Sequence, residues 1–463
     1  MIPNIKMLVI PDLSELVLIE VLEGEGERMK SLHIYAVTIF ALFVMFFFMP
    51  LSAHNADPVS SETAEVAEAG PAPDENSGEW RQWLGPNRDG ISIETGLLST
   101  WPKDGPREVW RQHLGGGFSG ISVHGDQIYT MFTNSFDEYL ICLDATNGKT
   151  VWRFRTDRNF EESLGGDGPR ATPTIHNGMA YTLGALGKLA AVDIETGKAV
   201  WQKDVKKDLK GKKPRWGYSS SPLIHNDLVL VEIAGKNNAL FVGLNKQTGE
   251  LVWQSQSGPA GYSSPALMTI NSTLQAVFFS GDKVVSLNPE NGEFLWDYPW
   301  QTKYEVNAAT PVFLAPNRIF LSSGYDYGCG VLEIAAGAGS YKAEKIWKNR
   351  VMKNHFATSI PHDGYIYGFD NSILKCINAE TGEETWKERG FGKGSLIFAD
   401  GKLIVLGEKG NLGLIEANPD SFQEITQFKV LKGKCWTVPT LTDGKLYIRN
   451  QREIACLDLT ATE

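Results

Sequence analysis

A short pattern that ends in tryptophan recurs along this chain and constrains its fold more than any other feature. In each complete copy, Asp or Asn stands eight residues before the tryptophan and Gly stands four residues before it. The five complete copies end at Trp152, Trp201, Trp253, Trp296 and Trp386, and their glycines are Gly148, Gly197, Gly249, Gly292 and Gly382. Two incomplete copies end at Trp347 and Phe428, and an isolated "REVWRQ" carries Trp110. A regular repeat of this kind predicts stacked copies of one structural unit.

The distance between copies indicates what that unit is. Successive copies end 39 to 52 residues apart, which is room for four short strands and three turns. Segments such as "DATNGK" and "PENGE" are typical of tight turns, because Gly adopts positive φ at no steric cost. The flanking "LAAVD" and "AVWQ" are apolar enough for buried strands. The sequence therefore predicts a β-propeller.

Counting the copies predicts eight blades. Seven blades end at residues 152, 201, 253, 296, 347, 386 and 428. The segment that follows Phe428 has room for three strands, and "REVWRQ" near the N-terminus supplies a fourth. A last blade built from both ends of the chain closes the ring and leaves no free sheet edge. We expect an all-β, eight-bladed propeller whose N-terminal strand completes the last blade.

The repeated tryptophans are predicted to lie between blades. Burying one indole removes about 150–250 Å² from water, which is a large gain at every blade interface. A set of ligand-stacking rings is the alternative, but one ligand would not need a ring at every blade. We assign the docking role to the tryptophans Trp110, Trp152, Trp201, Trp253, Trp296, Trp347 and Trp386 with the five repeat glycines.

Residues 1–79 do not follow the repeat. We interpret residues 1–28 as a non-native extension and residues 29–53, with Lys30 before an apolar run, as a signal peptide. An uncleaved anchor is the alternative, with membrane contact only through residues 34–51. Residues 54–79 carry many acids and few apolar side chains, which predicts a disordered linker, and the propeller spans 80–463. Either interpretation makes the domain exported, in the periplasm or cell envelope.

Charge excludes one class of partner and singles out one loop. The formal net charge of −11 argues against nucleic-acid binding through a general field. We expect a monomer. The loop "KKDLKGKKPRWGY" (206–218) nevertheless holds six basic residues, and it is either a solvated loop or an electropositive lip that attracts an anionic ligand or partner segment.

The repeat resembles the tryptophan-docking motif of the quinoprotein (PQQ-like) propeller superfamily, over about residues 80–459. The superfamily has a catalytic branch, the PQQ-dependent alcohol dehydrogenases, and a non-catalytic branch typified by BamB. The resemblance to the first branch implies a quinone and a calcium ion held over the central channel, beside an Asp base. Fold alone does not choose between the branches.

Residues near the starts of the inner strands are the candidates for a cofactor site. The candidate cofactor-binding residues are Arg170, Tyr218, Tyr262, Asn307, Lys393 and Trp436. Arg170 and Lys393 could meet carboxylates, Trp436 could stack on a flat ring, and Glu305 with Asn307 could offer oxygens to calcium. No Asp occurs at these positions, and no pair of adjacent cysteines occurs in the chain.

These features favour the second branch. We expect a non-catalytic, BamB-like scaffold of the cell envelope that binds proteins or a ligand, with no catalytic residues, no metal site and no cofactor. The alternative is a PQQ- and calcium-dependent dehydrogenase with its site at the mouth of the channel.

Overall fold

The computed structural model describes residues 79–337 and 339–461. The predictions for residues 1–28, for the leader at 29–53 and for nearly all of the linker at 54–79 lie outside this range. The described residues form eight four-stranded antiparallel sheets, the blades of a propeller. Within residues 79–337 and 339–461, helix is limited to α1 (Val205–Asp208) and a 3-10 turn at Lys303–Glu305. Among the described residues, no helix is long and apolar enough to cross a bilayer.

The first strand of the chain, β1 (Arg107–His113), belongs to the last blade, blade 8. In blades 1 to 7 the four strands follow one another in chain order from the axis outward. Blade 1 contains β2 (Ser122–His124), β3 (Gln127–Thr133), β4 (Asp137–Asp144) and β5 (Thr150–Arg158). Blade 2 contains β6 (Thr174–His176), β7 (Met179–Leu183), β8 (Lys188–Asp193) and β9 (Ala199–Asp204). Blade 3 contains β10 (Leu223–His225), β11 (Leu228–Gly235), β12 (Ala239–Asn245) and β13 (Leu251–Ser255). Blade 4 contains β14 (Ala266–Ile270), β15 (Thr273–Phe279), β16 (Lys283–Leu287) and β17 (Phe294–Pro299).

The second half of the ring repeats this order. Blade 5 contains β18 (Val312–Leu314), β19 (Arg318–Ser323), β20 (Gly328–Ala336) and β21 (Tyr341–Asn349). Blade 6 contains β22 (Ile360–His362), β23 (Tyr365–Asp370), β24 (Ile373–Asn378) and β25 (Glu384–Glu388). Blade 7 contains β26 (Ser395–Ala399), β27 (Lys402–Leu406), β28 (Asn411–Glu416) and β29 (Glu424–Lys429). Blade 8 contains β30 (Thr440–Thr442), β31 (Lys445–Arg449) and β32 (Glu453–Asp458).

The two ends of the chain close the ring in blade 8. Strand β1 pairs antiparallel with β32, with Arg107 opposite Asp458 and His113 opposite Glu453. β1 thereby becomes the outermost strand of a sheet whose other three strands come from the C-terminal end. The predicted eight blades and the predicted closure by an N-terminal strand are both confirmed.

Tryptophans of the repeat pack on the glycine of the next blade. A Cβ on Gly292 would lie 2.5 Å from the Trp253 ring, and a Cβ on Gly249 would lie 2.7 Å from the Trp201 ring. Gly148 lies in the same way against Trp110, Gly197 against Trp152 and Gly382 against Trp347. In these interfaces the indole N–H donates to a backbone carbonyl of the neighbouring turn, as Trp152 does to Ile194 at 2.8 Å. The glycines have φ between +66° and +73°, so they provide both the turn and the space for the ring.

Three interfaces differ from this pattern. The Trp386 N–H donates to the Asn418 carbonyl at 2.8 Å, but the ring lies against Phe422 because the turn of blade 7 has no glycine. The Trp296 N–H donates to Gln275 Oε1 of its own blade at 2.8 Å, although the ring is buried among side chains of blades 4 and 5. Trp296 therefore lies between two blades, as predicted, but without a glycine against its ring, because blade 5 lacks the Asp/Asn-Gly turn that would receive it. At the closing interface the Phe428 ring takes the tryptophan's place and lies against Gly105 and Trp101.

The residues that precede β1 cross one face of the ring. We call residues 79–98 the N-terminal strap. Its backbone carbonyls at Trp80 and Arg81 accept N–H groups of blades 1 and 2, and the backbone of Gly90 and Ser92 pairs with Phe398 of blade 7. The strap reaches blade 8 where the Leu98 N–H donates to the Leu459 carbonyl at 2.8 Å. This path takes it past the hairpin turns of the inner strands.

Arg88 fixes the strap at the centre of the ring. Its side chain is 3% exposed, and its guanidinium donates to the carbonyls of Ser221, Pro222 and Pro265 in the segments that open blades 3 and 4. Arg88 also donates from Nε to Gln82 at 2.9 Å. Burial lowers the pKa of Arg88 to about 9, which leaves it protonated at neutral pH. The strap thus closes the channel on the side of the hairpin turns.

Candidate functional site

The opposite end of the channel is an open cavity of about 380 Å³. Its walls come from residues that immediately precede the innermost strands, and Trp83 of the strap also lines it. The lining residues are Trp83, Phe118, Glu162, Leu164, Gly165, Arg170, Trp216, Ser219, Tyr262, Ser264, Val306, Ala308, Tyr325, His355, Phe356, Lys393 and Trp436. Each blade therefore presents the same point of its fold to one shared space, which we call the mouth cavity.

Four of the six candidate cofactor-binding residues meet there. Arg170, Tyr262, Lys393 and Trp436 line the mouth cavity. These four are separated by as much as 266 residues in the sequence (436 − 170). The ring architecture is what brings them together.

The other two candidates are placed elsewhere, which corrects the prediction for them. Tyr218 is 2% exposed, packs in the core between blades 2 and 3, and donates its hydroxyl to the Ile233 carbonyl at 3.2 Å. Asn307 is fully buried and donates to the carbonyls of Ser280 and Trp300 at 2.7 and 3.0 Å. Their neighbours Ser219 and Ala308 line the cavity instead. Successive side chains of an extended backbone point to opposite sides. When one residue lines the cavity, its neighbour in the sequence therefore points into the core.

Aromatic rings form one wall of the mouth cavity. Trp436 lies between Phe118 and Phe356, with ring centroids 5.4 and 4.9 Å away. The series continues through His355 to Tyr325, whose ring centroids are 5.1 Å apart. On another side, Trp216 lies 5.8 Å from Tyr262. Such a wall offers flat apolar surface at fixed geometry.

Basic side chains lie over several of these rings. The Arg170 guanidinium is 4.6 Å from the Phe160 centroid and 5.8 Å from that of Phe118. The Lys434 ammonium is 4.2 Å from the Trp436 centroid. Burial lowers the pKa of Arg170 to about 10, opposed by nearby carboxylates, so this group stays cationic at neutral pH. Each contact is a cation–π interaction that holds the positive charge at the mouth.

Two nitrogen atoms on the cavity wall have no partner among the described residues. The buried Nδ1 of His355 has no hydrogen bond, and the Lys393 ammonium forms no ion pair in residues 79–337 or 339–461. Burial, followed by the charge of Lys393, lowers the pKa of His355 to about 4. The imidazole is therefore neutral at physiological pH, and its Nδ1 is a buried polar atom without a hydrogen-bond partner.

The carboxylates at the mouth are already engaged. Glu162 accepts the backbone N–H groups of Leu164 and Gly165. Burial raises the pKa of Glu162, but these hydrogen bonds outweigh it and the net pKa lies below its ordinary value. Glu408, behind the wall, accepts the Trp436 N–H at 3.1 Å and the Lys393 backbone N–H at 3.3 Å. These carboxylates shape the loops and are poorly placed to act as a base toward a ligand.

The lining residues suit the quinone of a dehydrogenase site but do not suit the calcium ion that accompanies it. Arg170, Lys393 and Trp436 could hold a flat ring with carboxylates. Calcium needs six to eight oxygens, yet Asn307 Oδ1 accepts a hydrogen bond from Ser323 at 2.7 Å and Glu305 does not line the cavity. In the described part of the chain, His, Cys, Asp and Glu form no group of three or more that could hold a metal ion. The calcium half of a dehydrogenase site does not fit these residues.

Sequence reasoning missed several lining residues. Glu162 and Leu164 lie in the loop between blades 1 and 2, Tyr325 lies in the turn between β19 and β20 of blade 5, and Trp83 belongs to the strap. Trp216 ends the basic loop that was singled out by its charge, and that loop also places Arg215 4.9 Å from the Trp216 centroid and Lys213 4.7 Å from the Phe160 centroid. In the sequence, the cluster of basic residues beside Trp216 was the one feature that could have indicated that this loop reaches the cavity.

The comparison with known families decides the family. A family model described as outer membrane protein assembly factor BamB matches residues 94–206 and 136–388. The chain belongs to this family. The match covers most of the propeller repeats, in agreement with the resemblance that the sequence suggested.

Individual relatives come from both branches. BamB of Burkholderia pseudomallei is 24% identical over 387 residues, which cover 79% of this chain and 91% of that protein. The quinoprotein alcohol dehydrogenase PedH of Pseudomonas putida is 33% identical over 168 residues, 34% of this chain and 27% of that protein. The BamB structure from Moraxella catarrhalis superposes with a TM-score of 0.55 at 16% identity, covering 77% of this chain and 98% of that one. This structural likeness shows the shared fold alone.

Proposed function

We propose that this protein is an exported, non-catalytic binding propeller of the cell envelope that uses the mouth cavity and its rim as the binding surface. The apolar run in residues 29–53 and the BamB relatives support export. The protein would act by holding a partner or ligand in place, and its ring would serve as a rigid frame.

One observation carries this proposal. The mouth cavity combines free hydrogen-bond donors and aromatic surface with a single lining carboxylate among the described residues, Glu162, whose oxygens accept backbone N–H groups. Binding an anionic or aromatic group needs donors and rings, which are present. Oxidation of an alcohol by a carboxylate base would need an unengaged Asp or Glu, and among the described residues none lines the cavity.

A PQQ-dependent dehydrogenase is the second candidate, because of the relationship to PedH and because Arg170, Lys393 and Trp436 meet in one cavity. The two candidate functions differ in whether the protein oxidises a substrate: only the dehydrogenase would do so. We would assay the full chain for dye-linked oxidation of a panel of alcohols and sugars, with PQQ and calcium added, and fractionate cells that express it.

The proposal expects no oxidation above a cofactor-free control, and it expects the protein in the envelope fraction. Turnover that is lost in Lys393→Gln but retained in Lys342→Gln, a distant exposed position on β21, would establish the dehydrogenase instead. Recovery of the protein in the cytoplasm would contradict the proposed location.

A further inference from the structure

We propose that the mouth cavity receives an acidic polypeptide segment of a partner protein, with one large aromatic or aliphatic side chain inserted as an anchor. This inference rests on the proposed binding function and specifies the chemistry of its partner.

The first argument is the local charge. The chain as a whole has a formal net charge of −11, but basic side chains gather at the mouth. They line the cavity or lie over rings beside it: Arg170, Lys213, Arg215, Lys303, Lys393 and Lys434. An excess of positive charge on a negative protein favours an acidic partner and steers its approach.

The carboxylates nearby do not cancel this charge. Glu162 and Glu408 accept hydrogen bonds from the wall, as described above. Asp167 accepts the Glu162 N–H at 2.8 Å. Glu305 is exposed to solvent. Among the described residues that line the cavity, the two cations Arg170 and Lys393 outnumber the one carboxylate, Glu162, so the lining is net positive.

The second argument is an unused donor. The Lys393 side chain lines the cavity, and its ammonium forms no ion pair among the described residues. His355 lines the same cavity, and its buried Nδ1 has no hydrogen-bond partner among the described residues. A lysine ammonium without a partner is suited to one carboxylate. Trp436 and Phe356 lie beside this corner, so an acidic residue could bind there next to an apolar one.

The third argument separates a polypeptide from a small molecule. Large apolar side chains at the rim are exposed to solvent: Leu164 is 70% exposed, Tyr304 50% and Tyr325 37%. A compact ligand inside about 380 Å³ would leave these groups in water. The exposed Lys303 and Arg215 also lie at rings on the rim. A segment that fills the cavity with one side chain and continues across the rim would use both sets of residues.

The N-terminal strap limits how far the partner's side chain can enter the mouth cavity. Trp83 closes the cavity floor and donates its indole N–H to Thr310 at 2.9 Å. Behind it, Arg88 fills the channel. The partner segment therefore cannot thread through the ring, and the cavity accepts a side chain from one side only.

A displayed library of random peptides of about twelve residues, selected on the full-length protein, tests this inference. We expect the selected peptides to be rich in Asp and Glu around one large apolar residue. Their affinity, measured by fluorescence anisotropy, should weaken strongly between about 50 and about 300 mM salt, because the rim charges are exposed to solvent. Lys393→Gln should weaken binding about fivefold, as for loss of one favourable charge pair.

Matched variants make the result specific. Leu164→Ser should weaken binding at least as much as Lys393→Gln, whereas Ile93→Ser, an equally exposed aliphatic residue on the strap, should leave it unchanged. Lys342→Gln is the corresponding control for charge. Selection of neutral or basic peptides, failure to enrich any peptide, or equal losses in the controls would overturn the inference.

Three further outcomes separate this inference from the proposed function. If a small aromatic acid such as 2-naphthoate binds the cavity as tightly as the best peptide and the rim variants have no effect, the ligand is a small molecule and the inference is wrong. If the oxidation assay is negative but the peptide selection fails, only the partner chemistry is refuted. If oxidation is observed, the non-catalytic function itself is refuted.

Discussion

Substituting Gly292 with Ala should destabilise the propeller by crowding a blade interface. Gly292 has a φ of +70°, and a Cβ there would lie 2.5 Å from Cε3 and 2.8 Å from Cδ2 of Trp253. Trp253 is 7% exposed and donates its indole N–H to Pro289 in the same turn at 3.2 Å. The added methyl group must push the ring or the turn away, because both atoms belong to a packed indole.

The magnitude has two parts that one control separates. A left-handed conformation costs an L-residue about 1–2 kcal/mol, and forcing an extra carbon into a packed interface costs about 1–3 kcal/mol more. Gly178 has nearly the same φ, +75°, but a Cβ there would meet nothing within 4 Å. Gly178→Ala should therefore show the backbone cost alone, and Gly292→Ala should be less stable than it by about 1–3 kcal/mol.

Urea denaturation of the two variants and the wild type, followed by tryptophan fluorescence and by circular dichroism, gives the free energies of unfolding. Equal losses in the two variants would refute the reasoning, since they would show that the tryptophan does not depend on the space above the glycine. A loss in Gly178→Ala alone would contradict it as well.

Three further predictions concern stability. Trp253→Ala should lower the free energy of unfolding by about 3–5 kcal/mol in urea denaturation, because it removes a buried ring, and an unchanged midpoint would contradict this. Arg88→Ala should cost about 3 kcal/mol by the same measurement, because buried carbonyls at the axis lose a charged donor; a loss below about 0.5 kcal/mol would show that the strap does not depend on it. Burial raises the pKa of Glu138 from 4.5 to about 7, so the folded state binds the proton more tightly than the unfolded state and wild-type stability should fall as pH rises from about 4.5 to about 7. Glu138→Gln should therefore stabilise the protein by roughly 3 kcal/mol at pH about 8 and much less at pH about 5, and equal gains at the two pH values would exclude this cause.

The repeat was sufficient to predict the architecture. Tight turns with Asp or Asn before Gly define blade ends locally, and the Asp144 side chain accepts the Thr146 N–H at 2.8 Å as such a turn requires. The leftover "REVWRQ" predicted the closing strand because a three-stranded blade would otherwise have a free edge. These inferences use local chemistry and counting, which a sequence contains.

The strap and half of the mouth cavity could not be predicted in this way. The backbone carbonyls that accept hydrogen bonds from Arg88 lie 133 to 177 residues away in the sequence, and no repeat or spacing links them. Tyr218 and Asn307 were assigned to the cavity because they flank the inner-strand starts, but the direction of a side chain there depends on backbone geometry that the sequence leaves open. Trp296 shows the same limit, because its acceptor Gln275 lies in its own sheet.

Calorimetric titration of the full-length protein with PQQ, with and without calcium, tests the central claim most directly. The account predicts that calcium does not strengthen binding, because Asn307 is engaged in the core and Glu305 does not line the cavity. Weak, calcium-independent binding that Lys393→Gln reduces would agree with a mouth that attracts carboxylates on aromatic groups. Tight binding that requires calcium would contradict the account, and the mouth cavity would then be a cofactor site.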